Sequence, residues 1–487
     1  VAWIVIIVNK KSLLALCLLG VTSLASAGEK EDRLVDKVVA AYGGDALIGM
    51  NSLIVRDRYK TISAEGGVRP GLDAVSRLHS KLTVDFAGGR KAVKNWAVRN
   101  TGKRLGQIMF DGHKGWSINF LRGSHVERPD LNGNNVGAGM MRLLDTTLAR
   151  MLYRNRDAAE YLGAQQYQAK AHDRVRVSAG GGADLTLFIE QETGLIARMV
   201  RGNSDYRFSE HRTQDGITYA SDTNVMREGR PSMVTLSRVL EINPDVSAAF
   251  DLPRDTKKLE GMRDTSEMDV VTVTDGVYSV GKGFSASLFV DVGDHFIGVG
   301  GLGGIEARLA ALQAELGTDK PLRLQVLPEH QPGHNGGVNK IAALGATFIV
   351  AESHLQALKS KLTETLADDR FTTVEDTATF GGGKVLVYDI ATLQSEHYLL
   401  AYVPAAKLVF SVDEFGSNLK NSVPSADKRM ISYRQAIEAL GLDVEKIAYI
   451  HGTGILTMQQ LRDVTDGYKE GYCPTGHDIC RDNLLVE

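Results

Sequence analysis

The sequence predicts an α+β protein in two parts: an N-terminal antiparallel β domain with helices on one face, then a C-terminal αββα sandwich. Three observations predict it. Up to about residue 253, short alternating apolar runs are separated by Gly-rich turns. From Val270 onward strands alternate with helical patterns, and several early antiparallel strands make the mixture unlike a purely parallel sheet. A chain of 487 residues is also too long for one ordinary core.

Composition narrows the class. Apolar residues make up 43% and charged residues 24%, an ordinary balance for a soluble globular protein. A net charge of −3, with no polybasic run, gives no reason to expect nucleic acid or an anionic membrane as partner. Residues 1–27 read as a signal peptide, with Lys10 and Lys11 ahead of the apolar run Leu13 to Leu24 and the small-residue site Ala25-Ser26-Ala27. The mature chain is expected to begin near Gly28, to be periplasmic or secreted, and to keep no transmembrane helix. A lipid anchor on Cys17 is disfavoured because Leu16 stands where lipoprotein signals need a small residue. Cys473 and Cys480 lie in the tail 466–487, where an oxidising compartment favours a disulfide over a metal site built with His477.

Residues 30–253 read as the first domain. Leu34, Val38, Val39 and Tyr42 recur at helical spacing over 32–42, and Gly43-Gly44 ends that helix. Strand-like runs follow, among them SKLTVDF, KNWAVRN and RVRVSA, interrupted by a helical insert over 140–162. DLTLFIEQETGLIARMVR reads as a hairpin turning at Glu192-Thr193-Gly194. Together with AYGGDALIGMNSL, FDGHKGW, DYRFSEHRTQDGI and EINPDVSAAFDLP, that hairpin resembles the lipoprotein-carrier and lipoprotein-sorting group. The resemblance implies a half-barrel-like sheet able to hold acyl chains, a domain that is often an accessory module.

The charged, aperiodic stretch 254–269 reads as an interdomain linker. Within 270–465 the strands are VTDGVYSV, SASLFVDV, HFIGVG, LRLQVL, TFIVAE, KVLVYDI, YLLAYVP, KLVFSVD and AYIHG. Helical patterns cover 305–316, 338–344, 354–366 and 432–440. This order, with VLPEHQPGHNGG after LRLQVL, resembles the metallo-β-lactamase-fold superfamily over nearly the whole stretch.

The resemblance implies metal ligands in a loop of the form Thr-His-x-His-x-Asp-His. Alternate residues of an extended segment point the same way and bind one metal, the Asp and last His reach a second, and water held between them becomes a nucleophile. In this chain Pro328, Glu329, His330, Gln331, Pro332, Gly333 and His334 stand on that frame, so both first-metal histidines are replaced. Gln394 occupies the place of the third, with His397 three residues on. His334, the bridging carboxylate Asp413 and the last histidine His451 remain. Two histidines and a carboxylate are a donor set for one zinc or iron ion, and Glu329 or His330 would be the nearest group for proton transfer.

Two function classes follow. The replacements favour a degenerate site, without two-zinc hydrolysis, in a protein that binds a lipid-like or other small ligand. The alternative is a single-metal hydrolase. A third reading takes Gly298, Gly300 and Gly303 as a G-x-G-x-x-G dinucleotide turn with Glu329 as the ribose acid, but the preceding strands are in the wrong order for it. His113, His125, His172 and His211 lack ligand spacing, no Gly-x-Ser-x-Gly elbow occurs, and no cysteine lies between Cys17 and Cys473 to act as a nucleophile.

Overall fold

Leu34, Val35, Val38 and Val39 line one face of a helix over residues 28–41, and Tyr42 follows them into the same core. A computed structural model describes residues 28–99, 102–178, 183–470 and 474. Residues 1–27, read from sequence as a signal peptide, together with Cys473 and Cys480, lie outside the described residues. Among the described residues no helix is long and apolar enough to cross a membrane.

The chain forms two units. One takes the described residues up to Lys60 with Ser80–Val93 and Gly133–Phe250, and the other takes Thr61–His79, Lys94–Asn132 and the described residues from Asp251 onward. In the first unit, strands from Ser52–Ser63 through Arg230–Ile242, Ile217–Arg227, Ser204–Gln214, Ile196–Arg201, Leu185–Glu190 and Lys170–Val177 to Ala159–Tyr167 lie side by side. Leu185–Glu190 and Ile196–Arg201 pair antiparallel across the Glu192-Thr193-Gly194 turn, where Gly194 adopts a φ of 76°. The helix 28–41 and the helix Asp145–Arg154 cover one sheet face, burying Val38, Leu148 and Leu152 against Leu187, Ile189 and Met199. The insert expected over 140–162 is shorter, because Glu160, Tyr161 and Leu162 already belong to a strand paired with Lys170–Val177. His211 is a buttress: its Nε2 bonds Asp145, a fully buried carboxylate that also accepts from Tyr42 Oη and Ala220 N.

The second unit contains strands Gly102–Phe110, Gly115–Asn119 and Ser124–Glu127 and two further sheets. A seven-stranded sheet opens with the antiparallel strands Asp269–Thr274, Val277–Lys282 and Ser285–Asp291 and continues antiparallel to Phe296–Val299. Leu322–Val326, Thr347–Ala351 and Phe371–Val374 then add in parallel. VTDGVYSV is thus two strands, broken at Asp275-Gly276, since the Asp-Gly pair with Gly276 at φ 75° makes a tight hairpin turn. A six-stranded sheet runs Thr377–Phe380, Val385–Ile390, Tyr398–Val403, Leu408–Ser411, Lys446–Tyr449, Gly452–Thr457.

The two sheets share one core, in which Leu288, Ile297, Val326 and Ile349 meet Val387, Leu400, Val409 and Ile447. Helices Ile305–Leu316, Val338–Ala343 and Leu355–Lys359 pack on Phe289, Phe296 and Phe348 of the first sheet. Helices Lys428–Ala439 and Met458–Asp466 bury Met430, Tyr433 and Leu461 with the second. The pattern over 354–366 yields a helix only to Lys359, because Asn339 captures Thr363 N and Oγ1 and Lys361 O and draws the chain away. Lys428–Ala439 starts earlier than its apolar spacing suggests, capped by the Asp427 side chain on Arg429 N and Met430 N. The stretch 254–269 is held rather than free: Lys257–Lys258 pairs with Ser124–Glu127, and Met262 bridges Leu419.

Candidate metal centre

Three loops beyond the carboxyl ends of strands supply the site. After Leu322–Val326 the chain turns through a single 3₁₀ turn, Pro332–His334, and Asn335 closes that loop by donating to Glu329 O at 2.8 Å and Gln331 O at 3.3 Å. Gly337 then passes so close to a neighbouring loop that a Cβ would stand 2.5 Å from Leu302 O. Asp413 follows Leu408–Ser411, where Ser411 Oγ caps the turn through Phe415 N. His451 follows Lys446–Tyr449, and Ile450 is pinned on both sides by Ser411 O and Ala286 N.

His334, Asp413 and His451 converge. His451 Nε2 stands 3.3 Å from His334 Nε2 and 3.1 Å from Asp413 Oδ1, and His334 Nε2 is 3.6 Å from the same carboxylate oxygen. Bonds of about 2.0–2.2 Å in a tetrahedral metal site separate ligand atoms by roughly 3.3–3.6 Å. The spacing therefore fits one such ion, and these three are the one metal-capable group of His, Cys, Asp and Glu among the described residues.

Each ligand is held from behind. His334 donates Nδ1–H to the Glu329 carboxylate, His451 donates Nδ1–H to Phe284 O at 3.0 Å, and Gln394 Nε2 donates to Asp413 Oδ2 at 3.2 Å. Acceptors at both Nδ1 atoms leave the two Nε2 atoms turned to the same space. In the metal-free state a proton fills the need for a cation there. Burial opposes charge on His334, yet the bonded Glu329 carboxylate, with Asp413 and Glu414, outweighs it and raises the pKa to about 9. Burial likewise opposes charge on Asp413, but His451, His334 and Arg429 hold it well below the usual carboxylate range. Glu414, fully buried, is pushed up by desolvation and by the charges of Glu329 and Asp413.

The positions that the sequence comparison marked as replaced form a hydrogen-bonded frame. Glu329 is 2% exposed and spends one oxygen on His334. Gln394 ties Asp413 to Arg429, whose Nη1 donates to Gln394 Oε1 at 3.2 Å. Gln331 Nε2 reaches Gly66 O and Gln394 O. His330 is not brought to the triad: it lies against His354 with ring centroids 4.7 Å apart, and His397, bonded to Asp389, flanks that pair. Burial first, then Lys361, lowers the pKa of His330 to about 4, and burial lowers that of His354 to about 3.

The Gly298–Gly303 turn is not arranged for a dinucleotide. Arg308, 2% exposed, takes the carbonyls of Leu302 and Gly303 at 2.8 Å each, Gln325 takes that of Gly300, and Glu329 is committed to His334. A cleft of about 690 Å³ opens beside the triad, with Asp413 and His451 in its lining. Phe284, 65% exposed, stacks on His451 with centroids 4.4 Å apart. Sequence reading missed Phe284, Arg99, Lys103, Arg104 and Arg429 of that lining. Arg99, Lys103 and Arg104 lie close together in sequence but remote from every candidate ligand, and no local pattern singles out Phe284 or Arg429.

No family model and no curated relative matches the chain. Among solved structures, a metallo-β-lactamase of Pseudomonas aeruginosa in its mono-zinc form aligns at 16% identity, covering 42% of this chain and 96% of its own, with a TM-score of 0.34. A metallo-β-lactamase from Pontibacter korlensis aligns at 17% identity, covering 42% and 100%, with a TM-score of 0.33. The flavodiiron protein of Giardia intestinalis aligns at 18% identity, covering 41% and 59%, with a TM-score of 0.32.

Proposed function

We propose that the protein is a hydrolase of small molecules that works with one divalent metal ion, zinc or iron, held by His334, Asp413 and His451. The observation that carries this reading is the spacing of their ligand atoms, 3.1 to 3.6 Å, each ligand being held from its far side by another group. Such an ion supplies Lewis acidity and a nucleophile drawn from water near neutral pH. Glu329 is then a positioning residue: it fixes the ring and tautomer of His334 rather than serving as the proton-transfer group. Glu329, Gln331 and Gln394 fill the first-metal place with hydrogen-bonded side chains, which argues for one ion rather than two. On this reading residues 270–465 are a metallo-β-lactamase-like αββα domain with a reduced ligand set. Residues 30–253 are a lipoprotein-carrier-like module, and the protein acts after export to the periplasm or medium.

A second reading, binding of a lipid-like ligand without turnover, is favoured by a groove of about 330 Å³ in the first unit, lined by Val84, Phe86, Met141 and Met151 among others. Elemental analysis of the purified protein beside a His334→Ala, His451→Ala variant separates the two, together with a screen of ester, lactam and thioester substrates. About one equivalent of metal, lost in the variant with any hydrolysis, supports the hydrolase; no metal after incubation with zinc or iron refutes it.

A further inference from the structure

The cleft beside the triad carries an unbalanced positive charge. Its lining holds four cations, Arg99, Lys103, Arg104 and Arg429, against two carboxylates, Asp413 and Asp427. Both carboxylates are spoken for: Asp413 faces the histidines, and Asp427 binds Arg429 Nη2 at 2.9 Å while its other oxygen caps the helix Lys428–Ala439. Arg429 is correspondingly satisfied, by Asp427 and by Gln394 Oε1 at 3.2 Å. Arg99 and Arg104 have no hydrogen-bond or ion-pair partner among the described residues, and both are exposed to the cleft. Burial by the cleft walls is the first cause that lowers the pKa of Arg104; the charges of Arg429 and Arg99 add to it, and those of Asp427 and Asp413 oppose it. Polar groups join it in the lining, among them Ser425, which accepts from Asn119 Nδ2 at 3.1 Å.

A guanidinium fork without a partner, in a cleft of ligand size, is a ready receptor for an oxyanion, which it binds bidentately. We propose that Arg104, with Arg99, is an anion subsite that selects substrates bearing a carboxylate or phosphate group, the bond to be broken lying toward His451 and Asp413. Phe284, stacked on His451 and exposed, offers a flat apolar face at the histidine end. The selection of substrates rests on the hydrolase reading; the subsite itself does not, because the arginines bind an anion whether or not a metal is present.

The test uses the full chain carrying His334→Ala and His451→Ala, so that no metal at the triad can hold the anion. Phenyl phosphate, benzoate and the neutral benzyl alcohol are titrated calorimetrically into this protein and into the same protein with Arg99→Gln and Arg104→Gln added. The expected result is saturable binding of phenyl phosphate, benzoate or both. Binding weakens at least tenfold with the arginine substitutions and also with salt, as screening requires, and benzyl alcohol does not bind. Whichever anion binds names the oxyanion. Anion binding that survives both arginine substitutions, that is matched by benzyl alcohol, or that occurs only in the zinc-loaded wild type overturns the proposal. Arg99 and Arg104 are exposed, so an unchanged thermal midpoint is expected to show that the variant is folded. Arginine-dependent anion binding in a protein that hydrolyses nothing would refute the hydrolase while leaving the subsite standing.

Discussion

Glu329→Gln separates two roles of one carboxylate. In the native chain Glu329 orients His334, and outer-shell partners of this kind are worth roughly 10- to 100-fold in metal affinity. The same carboxylate holds a proton on metal-free His334, with a pKa of about 9. At pH 7 that proton must leave before a metal binds, which weakens apparent affinity by roughly a hundredfold, about 2.7 kcal/mol. The glutamine keeps an acceptor for Nδ1–H but removes the largest pull on the proton, leaving Asp413 and Glu414 to oppose burial, so the proton competition weakens. The native protein should therefore gain about tenfold in zinc affinity per pH unit between pH 6.5 and 9, while Glu329→Gln levels off at a lower pH. The two should be comparable near pH 7, and the native protein should be tighter by roughly 10- to 100-fold at pH 9. Competition against a chromophoric chelator across that range reads both curves. Parallel curves, or a variant equal to the native protein at pH 9, would refute the assignment of Glu329.

Other expectations concern stability. His330 and His354 are neutral when folded, with pKa values lowered to about 4 and about 3 from the usual 6.5, so the unfolded chain binds more protons between those limits. Their contribution is complete above about pH 6.5 and is lost as pH falls toward 4. The shift at His330 alone corresponds to about 3 kcal/mol. His354→Phe should flatten the dependence of the urea midpoint on pH in that window, and an unchanged slope would count against it. Gly337→Ala should destabilise the second unit by about 1–3 kcal/mol and weaken metal binding, because its Cβ would stand 2.5 Å from Leu302 O; differential scanning calorimetry and the chelator assay check both. In the first unit Arg238 and Asp57, 0% and 1% exposed, pair at 2.8 Å, and Asp57→Ala leaves the guanidinium buried without its anion. A loss of about 3–5 kcal/mol is expected from urea unfolding; a loss under 1 kcal/mol would show that Ala220 O and Thr223 Oγ1 satisfy Arg238 on their own.

Local signals in the sequence read well at most places where the structural cause is local. The Gly194 turn and its two strands, and the helix Ile305–Leu316, follow from turn chemistry and apolar period, which act over a few residues. The helical pattern over 354–366 misleads where a distant group intervenes, since Asn339 ends the helix by capturing Thr363; Lys257–Lys258, within the stretch read as a linker, pairs with Ser124–Glu127. VTDGVYSV was a different failure, since Asp275-Gly276 was itself a local signal for a hairpin turn.

At the site, the loop frame singled out His334, Asp413 and His451 because strand ends and residue types are written in order along the chain. It treated Glu329 and Gln394 as replaced ligands, and Glu329 also as a candidate for proton transfer. Their work is to hold His334 and Asp413 from behind, a role that depends on which atom faces which across as many as 19 residues. Arg99 and Arg104, whose guanidinium groups have no partner among the described residues, are more remote still in sequence from Asp413 and His451. The sequence by itself determined the kinds of element, the strand and helix periods and the donor set, because these depend on each residue and its near neighbours. Only the tertiary structure decided which donors share one point in space and which charges remain unpaired beside them, because packing of elements hundreds of residues apart sets those distances.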